Sequence, residues 1–242
     1  MKRIILIILC MGTIAYGQQT SQFLEGVENH PSRRFELKAA NVVDQYDQHD
    51  FSVLLMPQSS FLGFIGDNYK RIKIDFSSVE KSTEAARLYD IKGQSAVGRN
   101  TCDFDGTLNI RKVREYQTLH LGVDNMYADS GIVSQGVLIA DYELNEAEEQ
   151  KYSGTFEGVM VLWFYVDREG KLKIDNIESF SDSYKNNQFV GSWTQYNPAK
   201  TKICNWGEHR IPNSGDLDIG AGEFSVNPKY YELGWEEFDI RK

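Results

Sequence analysis

The stretch Tyr69–Phe76, YKRIKIDF, alternates apolar and charged side chains from Arg71 onward, with Ile72, Ile74 and Phe76 on one face and Arg71, Lys73 and Asp75 on the other. A side-chain period of two does not fit a helix; it marks a strand with one buried and one wet face. The same period returns in CDFDGTLNI, where Cys102, Phe104, Leu108 and Ile110 oppose Asp103, Asp105, Thr107 and Asn109, and again in LKIDNI and TKICNW. Gly158–Asp167, GVMVLWFYVD, is apolar on both faces and reads as a strand that something must cover on each side. It runs through the turn sequence DREGK into LKIDNI, a hairpin, and SWTQY with TKICNW forms a second around Asn197-Pro198. Short strands at regular spacing predict an all-β, mostly antiparallel fold, a barrel or closed sandwich of roughly 8–12 strands.

Helical signal is scarce. NPKYYELGWEEF puts Pro228 in a first turn and Tyr231, Trp235 and Phe238 on one face, which predicts a short docked C-terminal helix weakened by Gly234. Glu143–Lys151, ELNEAEEQK, reads as an acidic, solvated connector. Residues 18–242 are read as a single β-rich domain, and the lapse of patterning near 115–131 marks where it would divide.

The N-terminus speaks to compartment. Lys2 and Arg3 precede an apolar run from Ile4 to Tyr16, and Ala15-Tyr16-Gly17 supplies small residues for a cut before Gln18. Residues 1–17 therefore read as a secretory signal peptide, which predicts export to the periplasm, the cell envelope or the medium. Cys10 would leave with it. No other run is long and apolar enough to span a membrane. The formal charge of −9, with no basic run, argues against a nucleic-acid partner.

In an exported chain Cys102 and Cys204 have two readings. They pair across a loop of about 100 residues, worth roughly 4–5 kcal/mol on the chain-entropy model, or they are buried thiols in separate strands.

Asp103-Phe104-Asp105-Gly106-Thr107 resembles the nucleophile motif of the haloacid dehalogenase superfamily. That resemblance implies a buried parallel strand ahead of the first Asp and helices between strands. Here SAVGRNT precedes it and the helices are missing, so plain strand alternation accounts for both carboxylates and the motif is a decoy. Gly191-x-Trp193 resembles the Gly-x-Trp element of lipocalins, which implies a Trp packed across one end of a barrel and a Gly that admits a neighbouring strand; lipocalins carry it on the first strand. A glycine at a bulge beside a packed tryptophan is the competing and simpler reading. The whole chain resembles secreted β-proteins of the Gram-negative envelope, which implies a location and a sheet-rich fold but no chemistry.

The candidate ligand-binding residues are the aromatics Trp163, Tyr165, Trp193 and Trp206, whose faces suit an apolar or a carbohydrate ligand; plain core is the competing reading. Asp216, Asp218 and Glu223 lie in the glycine-rich GDLDIGAGE and form an incomplete calcium set, where a tight surface loop is the alternative. No zinc or nucleophile-elbow motif occurs. Three functions follow: a non-catalytic barrel holding a small apolar or carbohydrate ligand, an interaction module with a filled core and an envelope-protein partner, and a hydrolase with unassigned carboxylates.

Overall fold

The computed structural model describes residues 17–29 and 36–239, so the stretch read from sequence as a signal peptide lies, except for Gly17, outside the described residues. The described residues open with a helix over 17–29 (α1), and a one-turn helix, α2, follows at Ser52–Leu55. Among them ten strands follow: β1 Leu62–Ile65, β2 Lys70–Arg71, β3 Lys73–Lys81, β4 Leu88–Val97, β5 Asn100–Glu115, β6 Ile132–Glu146, β7 Gly154–Asp167, β8 Leu172–Ile174, β9 Asn186–Gln195 and β10 Lys200–Glu208. All pairings are antiparallel, in the order β2-β1-β10-β9-β7-β6-β5-β4-β3, with β8 beside β7. The two ends of that order are covalently continuous. Only Ile72 separates β2 from β3, so one run of chain pairs first with β1 and then with β4, and the sheet curls into a barrel-like body. Residues 116–131 join β5 to β6, which are neighbours in this sheet.

The period-two reading sets the strand faces, and bulges correct it where the spacing slips. In β3, Ile74, Phe76 and Val79 are buried; a register shift between Phe76 and Ser78 turns Val79 inward in place of Ser78. In β5 the shift between Ile110 and Lys112 does the same for Val113. One extra residue on one strand rotates everything after it by a face.

The interior is filled. Phe189 and Trp206 stack with centroids 4.8 Å apart, Tyr142 packs edge-on to both, and Phe61 and Phe76 close the seam between β1 and β3. Room for the Tyr142 ring comes from the facing pair Gly158 and Gly191. A Cβ on Gly191 would lie 2.6 Å from the Tyr142 hydroxyl and 2.0 Å from the Glu157 carbonyl oxygen, closer than any side-chain carbon can sit.

The covered face of β7 has an internal explanation. Outward-facing Val137, Ile139 and Val161 pack beneath Phe23, Leu24 and Val27 of α1 and beside Leu37, with Trp163 stacked on Tyr116 at 5.9 Å. Glu28 fastens the helix by accepting from Lys112 at 2.9 Å and Arg114 at 3.2 Å. The chain supplies its own cover.

The short C-terminal helix is a 3-10 helix, Pro228–Leu233, ended by Gly234 with its φ of 98°, and a further 3-10 turn follows at Glu236–Phe238. Trp235 still docks: it is buried among Phe64, Ile211, Leu217 and Val226 and donates from its indole N–H to the Tyr69 carbonyl at 2.8 Å. Cys102 and Cys204 are both free and buried. They sit on β5 and β10, separated in the sheet by β6, β7 and β9, and the Cys102 thiol donates to the Lys151 carbonyl instead. Burial pushes both thiols up, which removes them as nucleophiles.

Candidate functional site

The two ends of the barrel are built differently. The end holding the β3–β4 and β5–β6 connections is plugged by the segment before β1. Val43, Tyr46, Phe51, Leu54 and Leu55 enter the interior cluster, and Tyr46 and Phe51 each meet Phe164 edge-on, at 5.4 and 5.3 Å. Its charged groups are matched. Lys81 donates to the carbonyls of Asp47 and His49, Arg87 pairs with Asp44 and Asp47, and buried Glu208 accepts from the Ser59 amide at 2.7 Å and from Asn187 at 2.8 Å.

Four tight connections gather at the other end: β1–β2, β4–β5, β6–β7 and β9–β10. They frame a cavity of about 700 Å³, a size suited to a small-molecule site. Its apolar wall is Ile65, Ile72, Phe156 and Trp193, and its floor is Ser95 with Glu146.

Glu146 is buried, and three donors hold it. Ser95 Oγ donates to one carboxylate oxygen; the Trp193 indole N–H (2.9 Å) and the Gly154 amide (2.8 Å) donate to the other. Burial raises its pKa, and those same three bonds pull it back. Strand register delivers it. Tyr142, Leu144 and Glu146 lie two apart on β6, so the inward face that carries core residues lower down carries a carboxylate at the rim. This residue lies in the stretch read from sequence as a solvated connector; Glu148 and Glu149 are exposed, whereas Glu146 is not. Extending the alternation of VLIADYEL two residues further would have placed it inside.

Cations surround the opening: Lys70, Arg99, Lys200 and Lys202 all line the cavity. Lys202 Nζ stands 5.5 Å from the centre of the Trp193 ring, and burial, followed by the neighbouring charges of Lys200 and Lys70, lowers its pKa. None of the four is ion-paired with a described residue.

Of the aromatics singled out by sequence, Trp193 alone lines this cavity. Trp206 is fully buried in the core, Trp163 lies on the outer face against Tyr116, and Tyr165, also outward on β7, is half-buried. The structure does not gather Asp216, Asp218 and Glu223 into a calcium site. Asp216 pairs with Lys229 and Tyr230, Asp218 accepts from Arg210 at 2.8 Å and caps the Gly220 and Ser225 amides, and Glu223 is exposed. No group of three or more His, Cys, Asp or Glu among the described residues is placed to hold a metal. Asp103 and Asp105 point off the outer face of antiparallel β5, where Asp103 accepts from Gln94 and Gln150.

No helix of the described residues is long and apolar enough to cross a membrane. Gly191 lies against the Glu157 carbonyl of β7 and Trp193 lines the cavity, both on β9. A scan against protein-family models finds no match for the chain, and neither do searches of curated proteins and of solved structures.

Proposed function

We propose that this is an exported, non-catalytic binding protein that seats a small ligand in the open mouth of the barrel. The observation that carries the reading is the contrast in filling. The shaft is packed with aromatic rings and the far end is plugged, yet the near end keeps a cavity of about 700 Å³ with an indole and a buried carboxylate at its base. Binding is favoured over hydrolysis because Glu146 is held by three donors, and the second carboxylate of the lining, Asp67, is exposed on the β1–β2 turn. The partner reading loses its motive, since α1 already covers the apolar outer face of β7.

Native mass spectrometry of residues 18–242 purified from the native host tests this. An adduct removed by extraction is expected, and it should be absent from Val97→Trp, which fills the mouth from β4. A bare mass, or an adduct that Val97→Trp retains, overturns the reading.

A further inference from the structure

The inner wall of the mouth sorts by height. On β10 the inward positions run Lys200, Lys202, Cys204 and Trp206 from rim to core, and on the β2–β3 strand they run Lys70, Ile72, Ile74 and Phe76. Three lysines thus occupy inward positions near the rim, where a chain selected for stability alone would place neutral side chains. They crowd one another without a carboxylate partner among the described residues, in a protein whose formal charge is −9. A cluster of like charges at a cavity entrance is unfavourable until an anion enters it.

The remaining lining is rich in groups that both donate and accept. Asn68, Asn100 and Gln195 join Ser95 and the Glu146 carboxylate, while the Trp193 indole offers apolar surface. Hydroxyls paired with carboxylate and amide side chains, and a ring face against an indole, are what a sugar requires. An acyl chain would need an apolar shaft, and the space beneath the floor is already taken by Phe189 and Trp206.

On the reading of the mouth as the ligand seat, we propose that its ligand is an acidic saccharide, a sugar carrying a carboxylate or a sulfate. Lys70, Lys200, Lys202 and Arg99 meet the anion, and Glu146 accepts a ligand hydroxyl. The otherwise acidic surface restricts the ligand to a short fragment, because a long polyanion would be repelled beyond the rim.

Calorimetric titration of residues 18–242 with trigalacturonate, a sulfated heparin disaccharide, maltotriose and laurate tests the class, and the first two probes separate carboxylate from sulfate. Binding of one acidic sugar, at least about tenfold tighter than maltotriose or laurate and weakened by salt, is expected. Lys70→Gln/Lys202→Gln, which removes charge at similar side-chain length, should cost the acidic sugar about tenfold and leave maltotriose unchanged. Equal binding of maltotriose, preference for laurate, or no binding of either acidic sugar overturns the assignment. If that happens while the extractable adduct is still lost in Val97→Trp, the mouth remains the ligand seat and only the ligand class is wrong.

Discussion

The plugged end and the open end of the barrel each bury a glutamate, and their surroundings differ in one respect. At the plugged end the charges are answered by the protein: Glu208 accepts from Ser59 and Asn187, Arg87 has Asp44 and Asp47, and Lys81 has two carbonyls. Around Glu146 the carboxylate is satisfied, but the cations above it are not. Folding alone accounts for the first arrangement. The second concentrates positive charge at the open end, and that distinguishes the plugged end from the proposed binding end more sharply than the count of aromatic residues does.

The largest effect should come from breaking the plug. Phe51 is fully buried and contacts Tyr46 and Phe164, and its amide donates to the Tyr89 hydroxyl at 3.1 Å. Phe51→Ala should cost about 3–5 kcal/mol in urea unfolding through lost burial and the cavity left behind. Lys202→Gln at the mouth should stay within about 1 kcal/mol of wild type, because the side chain has no ion-pair partner among the described residues and gives up only its contact over the Trp193 ring. Comparable losses at the two sites would erase the distinction between the ends.

A second, pH-dependent effect belongs to the plugged side. Asp175, just past β8, has its pKa raised from 3.8 to about 6, chiefly by burial, against the pull of the Ile177 amide and His120. A carboxyl whose folded pKa is raised destabilises the fold when ionised. The penalty is complete above pH 6, shrinks as the pH falls, and vanishes below the unfolded value near 4. Asp175→Asn should therefore be more stable than wild type at pH 7.5, by at most about 3 kcal/mol at 1.36 kcal/mol per pKa unit. The gap should close between pH 6 and pH 4. A gap that persists at pH 4 would assign the effect to packing.

Strand faces were legible in the sequence because alternation is a local property, and YKRIKIDF or CDFDGTLNI states its own inner face. The need for cover over GVMVLWFYVD was legible too, but not its source, because α1 lies more than a hundred residues upstream and only tertiary packing joins them. The cysteine pairing was illegible for the same reason: similar flanking residues carry no information on separation across a barrel. At the site, Trp193 was found by residue type. Glu146 was missed because its neighbours in ELNEAEEQK are charged, and composition outweighed register. The lysines were invisible as a group because Lys70 and Lys202 converge only when β2 and β10 flank β1.

The smallest predicted effect sharpens the comparison most. Glu146→Gln preserves the cage if the amide oxygen accepts from Trp193 and Gly154 while the amide N–H donates to Ser95, whose hydroxyl can reverse its role. Stability at pH 4.5 should then be nearly that of wild type. Burial raises the pKa of Glu146 above the ordinary 4.5, so wild type carries an ionisation penalty that grows as pH rises through the folded value, and Gln carries none. The stability difference between the two proteins, followed by urea unfolding from pH 4.5 to 8, should move in favour of Gln as the pH rises. A difference that moves the other way would mean that the ionised carboxylate stabilises the mouth, and Glu146 would then belong with Glu208 as a structural latch.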